Sequence, residues 1–298
     1  MLTRRQAVFA MTAATLLIGS PPAMAQTRLK VVASFSILAD LVKNVGGDKI
    51  EVSALVGPNG DAHVFSPSPA DAKTVAAAKV MVVNGLGLEG WMTRLVQASG
   101  SKAPMVVATT GIKPRNMEED GKQQIDPHAW QSIANAKVYV ANIRDGLSKA
   151  DPPNADAYAA NAAAYLVRLD ALEGEVKAAI ARIPADHRKI ITTHDAFGYF
   201  GAAYGMAFIS PEGVSTDSEP SAKEVARIIT QIKVQKIPAV FMENISDPRL
   251  MQQISRETGA KIGGTLYSDA LSDQKGPAAS YIEMMHNNIR QLSIALMS

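Results

Sequence analysis

The stretch "NADAYAANAAAYLVRLDALEGEVKAAIARI", residues 154–183, decides how this chain is built. Its apolar residues Leu166, Leu169, Leu172 and Val176 recur at helical spacing, with Asp151, Pro152, Pro153 and Asn154 as start signals and Pro184 just beyond the end. A continuous helix of roughly 30 residues spans about 45 Å at 1.5 Å per residue. A rod of that length can run along a two-lobed molecule and join its halves. Because it is stiff, it predicts small tilts between the lobes rather than the wide closure that flexible strand linkers allow.

On either side of this helix, β-branched runs alternate with helical stretches. "LKVVASF" precedes "ILADLVKNVG", "IEVSALV" precedes "SPADAKTVAAA", and "VMVVNG" precedes "LEGWMTRLVQAS". A second series runs from "RKIITTH" through "MAFIS", "SAKEVARIITQIKVQ", "PAVFMEN", "DPRLMQQISRETG" and "AKIGGTLYS" to a last helix from about Pro277. Strands alternating with helices build parallel sheets from βαβ units. The fold class expected is α/β: two similar lobes, each a parallel β-sheet with flanking helices, joined by one long spine helix. The boundaries expected are 26–150 for the first lobe, 151–184 for the linking helix and 185–298 for the second lobe.

The first 25 residues combine Arg4 and Arg5, the apolar run "AVFAMTAATLLIG", and "PPAMAQ" with small residues at Ala23 and Ala25. That pattern is a cleavable secretory signal, with the mature chain starting at about Gln26. Thr3 to Gln6 match the start of a twin-arginine signal, but Ala7 and Val8 stand where that signal prefers larger apolar residues, so ordinary secretion is expected. No later run is long enough to cross a bilayer. There is no cysteine, and therefore neither a disulfide nor a thiol to carry a lipid. A free monomer in the periplasm is expected. The signal holds two arginines and no acid, so the formal charge of +2 falls to zero on its removal. A neutral chain offers no electrostatic reason to bind nucleic acid or a membrane surface. About 270 residues suit two lobes better than one core.

Three of the five histidines stand in informative places. His63 lies in the Gly/Pro-rich "GPNGDAHVFSPSPADA" after a strand, His128 lies in "QQIDPHAWQS" before a helix, and His194 ends the strand "RKIITT". Asp269, in "GGTLYSDALSD", has the same placement just past a strand. Ligands of open α/β sheets bind where loops leave the carboxyl ends of strands. Each lobe thus contributes two candidates to the cleft. Any one of these histidines read alone is also an ordinary surface or capping residue, and the weight rests on the four contexts together. Imidazole nitrogens with one carboxylate oxygen suit first-row divalent metals, zinc most readily as a tetrahedron.

"DAHVFSPSPAD", "DPHAW", "TTHDAFGYF" and "YSDALS", in that order around a long central helix, resemble the metal-binding solute receptors of zinc and manganese ABC transporters, the TroA-like periplasmic binding proteins. The resemblance covers essentially all of the mature chain. It implies that His63, His128, His194 and Asp269 hold the metal, and that a membrane permease with its ATPase receives it. It also implies a metal preference. Manganese and iron receptors of the family often carry glutamate at the third position and zinc receptors carry histidine, so His194 favours Zn2+ over Mn2+. The long histidine-rich loop and the disulfide of one zinc subgroup have no counterpart, since the equivalent segment is the short "KPRNMEEDGKQQ". The acids of its stretch from Arg115 to Gln124 are expected to keep a loop soluble rather than to gather metal.

Four other acids stand near these motifs. Asp61 and Asp126, each two residues before a candidate histidine, can orient imidazoles or simply cap turns. Asp195 reads as a helix-start residue or a partner of His194. Glu243, at the end of "PAVFME", reaches the cleft or is satisfied by backbone amides. His187 and His286 are outside the candidate set, and Phe65 and Trp130 are expected to pack as core or cleft wall. A manganese or iron receptor is the alternative within the family. A secreted zinc hydrolase is the competing class, with Glu243 or Asp195 as its base, but the chain has neither a His-Glu-x-x-His pair nor a Gly-x-Ser-x-Gly turn.

Overall fold

The computed structural model describes residues 28–119, 122–217 and 219–297, and the expected signal segment lies outside them. The first lobe runs β1 (Leu29–Phe35), α1 (Ser36–Gly46), β2 (Ile50–Val56), α2 (Pro69–Ala77), β3 (Val80–Val83), α3 (Met92–Ser99) and β4 (Met105–Val107). A hairpin of β5 (Arg115–Glu119) and β6 (Lys122–Asp126) leads to α4 (Ile133–Ala150) and then to the spine, α5 (Ala155–Ala181). The second lobe runs β7 (Lys189–Ile191), α6 (Gly198–Tyr204), β8 (Ala207–Ile209), α7 (Ala222–Gln235), β9 (Ala239–Glu243), α8 (Arg249–Thr258), β10 (Lys261–Leu266) and α9 (Tyr281–Leu296).

Each lobe holds a four-stranded, all-parallel sheet, ordered β2-β1-β3-β4 in the first and β10-β9-β7-β8 in the second. Both sheets follow the same rule: the first strand lies inside, the next or the following pair lies to each side, and the chain reverses direction beside β1 and beside β7. The central strand β3 is apolar and buried at all four positions, as expected where helices cover both faces of a parallel sheet. Local signals fix the helix starts. Ser68 and Asp71 form a reciprocal capping box before α2, with Pro69 at its first position, and Ser221 and Glu224 do the same for α7.

The spine occupies 27 residues. Its buried face carries Tyr158, Ala162, Tyr165, Leu169, Leu172 and Val176, while Val167 on the opposite face is 69% exposed. Leu166, expected on the inner face, is only partly buried at its edge. The last helix returns to the first lobe: the Tyr281 amide donates to Asp40 of α1 and the Tyr281 hydroxyl donates to the Trp130 carbonyl. One apolar core therefore runs without a break from β1 through the spine to α9, and a smaller one around Ile191, Ile228, Val240 and Ile254 fills the outer part of the second lobe.

One expectation is corrected. The segment from Arg115 to Gln124 is not a loop but the β5–β6 hairpin, with Arg115 opposite Asp126 and Glu119 opposite Lys122. The sequence carries the two-residue hairpin signal Asp-Gly at 120–121. Among the described residues no helix is long and apolar enough to cross a membrane.

Truncating Leu169, which is fully buried, to Ala is expected to cost about 2–5 kcal/mol, whereas Val167→Ala stays within about 0.5 kcal/mol. Urea unfolding of the two variants measures the contrast; equal costs would mean that the spine does not pack by this face. A core continuous across both lobes also predicts that small-angle scattering curves with and without ligand nearly superimpose, and a hinge rotation of tens of degrees would contradict it.

Candidate metal centre

His63 follows β2 in a loop that turns through Asn59, whose φ is +54°. His128 follows β6 and precedes a single 3-10 turn, His194 follows β7, and Asp269 follows β10. Two residues from each lobe thus converge. His128, His194 and Asp269 have no exposed side-chain surface, and His63 retains 6%. One ligand atom from each of the four lies within 4.8 Å of every other.

The edges of this cluster are short. His63 Nε2 stands 3.1 Å from His128 Nε2 and 3.2 Å from Asp269 Oδ2. His194 Nε2 is 3.1 Å from Asp269 Oδ2, and His128 Nε2 is 3.5 Å from Asp269 Oδ1. A metal ion held by four donors at about 2.0 Å has ligand-to-ligand edges of about 3.3 Å, close to these four distances. Asp269 Oδ1 is buried without a hydrogen-bond partner. Two imidazole Nε2 atoms facing each other at 3.1 Å repel when both present lone pairs, and a cation between them removes that repulsion.

Carboxylates set the ring orientations. Asp126 Oδ1 accepts the His128 amide at 2.9 Å and lies 2.9 Å from His128 Nδ1. Glu243 Oε1 accepts the amides of Thr193 and His194 at 2.7 and 3.0 Å, while its Oε2 sits 2.6 Å from His194 Nδ1, close in charge contact although not aligned as a hydrogen bond. With the Nδ1 atoms of His128 and His194 turned to acids, their Nε2 atoms point into the cluster. Both alternatives left open in the sequence hold for Asp126 and Glu243, since each accepts backbone amides and also lies against an imidazole Nδ1. Asp61 does not touch the His63 ring. It accepts the His63 amide at 2.8 Å, and its other oxygen accepts the Thr216 hydroxyl of the second lobe at 2.6 Å.

Asp195 requires a correction. The cap position of α6 is Phe197, and no side chain caps that helix, so Asp195 does not start it. It instead lies in the charge environment of Asp126, Arg115, His128 and His194, where burial and the Asp126 charge raise its carboxyl above the usual range. His187 Nδ1 donates to the Leu296 carbonyl, and His286 pairs with Glu175; both stand apart from the centre.

Electrostatics follow from burial and pairing. Burial alone would favour neutral His128, but Asp269 and Asp126 hold it up at about 9. His194 is opposed by burial in the same way and is carried well above its ordinary value by Glu243 and Asp269. Burial would raise Asp269, yet the two imidazoles hold it well below the carboxylate range.

Several residues that sequence reading missed complete the centre. The Trp130 indole N–H and the Gln131 amide both donate to the Ser268 carbonyl, at 2.9 and 2.8 Å, so the first lobe fixes the residue before Asp269. Trp130 also lies against the His128 ring, which makes it cleft wall, and Phe65 packs on Trp91. The Asn84 amide holds the Pro127 carbonyl at 2.9 Å. Asn59 donates its amide to the Leu271 carbonyl, and the Asn244 side chain donates to Asn59, tying the His63 loop to the second lobe. The Asn84–Pro127 contact spans 43 residues, and those of Trp130 and Gln131 with Ser268, Asn59 with Leu271 and Asn244 with Asn59 each span more than 100. A groove of about 940 Å3 between α7 and α8 reaches Asp61, Glu212 and Thr216 but contains none of the four converging residues.

Comparison with known proteins agrees with this geometry. The family described as "Zinc-uptake complex component A periplasmic" matches residues 31–295. The chain is 37% identical over 262 residues to the manganese-binding lipoprotein MntA of Halalkalibacterium halodurans, covering 88% of this chain and 86% of that protein. It is 34% identical over 269 residues to the iron-binding protein YfeA of Yersinia pestis, covering 90% and 86%. Among solved structures, the periplasmic zinc binding protein TroA from Treponema pallidum superposes with a TM-score of 0.86 at 28% identity, covering 91% of this chain and all of that one. This chain therefore belongs to the zinc-uptake component A, or TroA-like, family of metal-binding substrate receptors of ABC transporters.

Proposed function

We propose that this chain captures a divalent metal ion between its lobes with His63 Nε2, His128 Nε2, His194 Nε2 and the Asp269 carboxylate, and that Zn(II) is the cargo these donors fit best. The observation that carries the reading is the convergence of three imidazole nitrogens on one buried carboxylate, at edges of 3.1–3.5 Å. Zinc accepts three nitrogens and one oxygen in a tetrahedron, whereas manganese favours more oxygen and a higher coordination number. The functional boundaries proposed are residues 26–150 and 185–298 for the lobes, with 151–184 between them. The chain is proposed to act as a free periplasmic monomer that hands its ion to a membrane permease driven by an ATPase.

Manganese or iron is the second reading, favoured by a specific observation. Both oxygens of Asp269 face imidazoles, which allows bidentate binding and a fifth bond, and MntA and YfeA are named for manganese and iron. A hydrolase gains no such support. Both oxygens of Glu243 are turned onto Thr193 and His194, and a base must face the metal-bound water instead.

Replacing His194 by Ala removes one of four donors and is expected to lower zinc affinity at least about 100-fold, beyond the 10–100-fold typical of a lost orienting partner. His194→Glu should shift the preference toward manganese. Competition titrations against a chelator of known affinity measure both, and full zinc affinity in His194→Ala would overturn the assignment.

Proton linkage gives an independent check. His128, held at about 9, and His194, held well above its ordinary value, carry protons at neutral pH and must lose them to bind metal. Affinity should therefore keep rising as pH climbs toward about 9 and fall steeply from pH 7.5 to 5.5, with protons released on binding. Calorimetry in two buffers of different ionisation enthalpy counts those protons; heats independent of buffer, with affinity flat over that range, would remove the histidines from the ligand set.

A further inference from the structure

Arg115 opens β5 directly opposite Asp126, which closes β6. Its guanidinium Nη1 donates to Asp126 Oδ2 at 3.2 Å, while the other oxygen of that fully buried carboxylate holds both the amide and the ring Nδ1 of His128. One carboxylate thus joins Arg115 to a proposed metal ligand. The Arg115 backbone amide donates to the Tyr199 hydroxyl of α6 at 2.8 Å, which takes the same residue across the cleft.

The first residue of α6 completes the contact. A Cβ added at Gly198 would stand 2.0 Å from Arg115 Nη1, 2.6 Å from its Cζ and 2.6 Å from Asp126 Oδ2. The guanidinium and the carboxylate therefore rest against the bare backbone of Gly198, where no side chain has room. Gly198 lies four residues after His194 on one short segment, and Gly198 and Tyr199 are buried. The two half-sites, His128 in the first lobe and His194 in the second, are consequently linked by a contact that contains no metal ligand.

Neither partner of this link is explained by folding alone. A two-stranded hairpin needs no arginine paired with a buried aspartate at its base, and a helix start needs no glycine at that position. Arg is suited to this place because its planar fork stays charged, lies flat on backbone and directs a hydrogen bond at the same time.

We propose that Arg115 is a positioning residue that latches the His194 segment against the Asp126–His128 pair, so that the four ligands stay assembled and the ion leaves only when this latch opens. The proposal rests on the metal-capture reading above. The latch adds no ligand atom. It controls how fast the ligand set comes apart, so it acts on the dissociation rate far more than on the association rate.

The test is stopped-flow release of Zn(II) from the loaded full-length protein into excess chelator. Arg115→Ala should speed release about tenfold or more, in the range seen when partners of metal ligands are lost. Gly198→Ala deletes no polar group but crowds both the guanidinium and the Asp126 carboxylate it pairs with, and should speed release in the same direction. The double variant should show less than the product of the two effects, because both break one contact. Arg115→Lys, which keeps the charge and loses the fork, should recover only part of the slow release. Thermal unfolding of the metal-free variants separates the outcomes: lowered stability with wild-type release rates would mean that Arg115 is a hairpin-folding residue, and would overturn the latch. Multiplicative effects in the double variant would overturn it as well. If the wild-type protein bound no Zn(II), the metal-capture reading would fail instead, a result distinct from either.

Discussion

The constraint on which the rest of the structure depends is a carboxylate, Asp269, buried with no exposure among three imidazoles. A charge taken from water costs several kcal/mol unless partners repay it. Here the repayment comes from His128 and His194, and they in turn lean on Asp126 and Glu243. The outcome is a chain of alternating acids and imidazoles that spans the cleft. Such a chain is stable only when each member is held in place, because one unpaired link leaves a buried charge. That requirement accounts for the density of supporting contacts: Trp130 and Gln131 on the Ser268 carbonyl, Asn84 on the Pro127 carbonyl, and Thr216 on Asp61.

The same chain explains how a preassembled cluster can still accept an ion. On the proposed reading, the acids that raise His128 and His194 favour protonated imidazoles in the metal-free cluster. With metal, a divalent cation replaces those protons, and the carboxylates behind the rings lend basicity to the nitrogens. On the proposed reading, loading is an exchange of cations within a fixed frame rather than a collapse of the frame around its cargo. Fixed frames discriminate by size and donor type, which fits a choice among first-row metals.

How much of this was legible in the sequence depends on the range of the interaction involved. The spine was legible because Leu169, Leu172 and Val176 repeat with the helical period, and the parallel sheets because β-branched runs alternate with helical stretches. The four converging residues were legible through their placement at strand ends together with their ordered motifs. Asp126 and Glu243 were only half legible, since a carboxylate two residues before a histidine caps a turn as readily as it orients a ring. Arg115 was invisible. Its role depends on Gly198, and nothing local says that a guanidinium lies on that glycine. The hairpin was missed for a different reason: the Asp-Gly pair was present, but the charged residues around it outweighed the turn signal. Asp195 was misread because helix-start chemistry was assumed where α6 begins three residues later, at Gly198.

The two lobes are not mechanically equal, and this decides where the structure gives way. The first lobe, the spine and α9 share one continuous core with large buried side chains such as Trp130, Tyr139, Tyr158 and Tyr281. In the outer part of the second lobe, α7 buries only Ile228 and Ile232, and α8 only Met251 and Ile254. Elements with few buried apolar contacts open at lower free energy than the core does. Opening of the cleft is therefore easiest by local movement in the second lobe, with the spine and the first lobe as a fixed base. The Asn59–Asn244 contact and the Asp61–Thr216 bond join that softer part to the rigid one, whereas Leu271 and the start of α6 share the continuous core. Each lies within a few residues of a proposed ligand, so any movement that breaks them separates ligands at the same time. A stiff spine and a receptor that releases its cargo are thus compatible, because release needs ångström-scale motion of two short segments and no rotation of whole lobes.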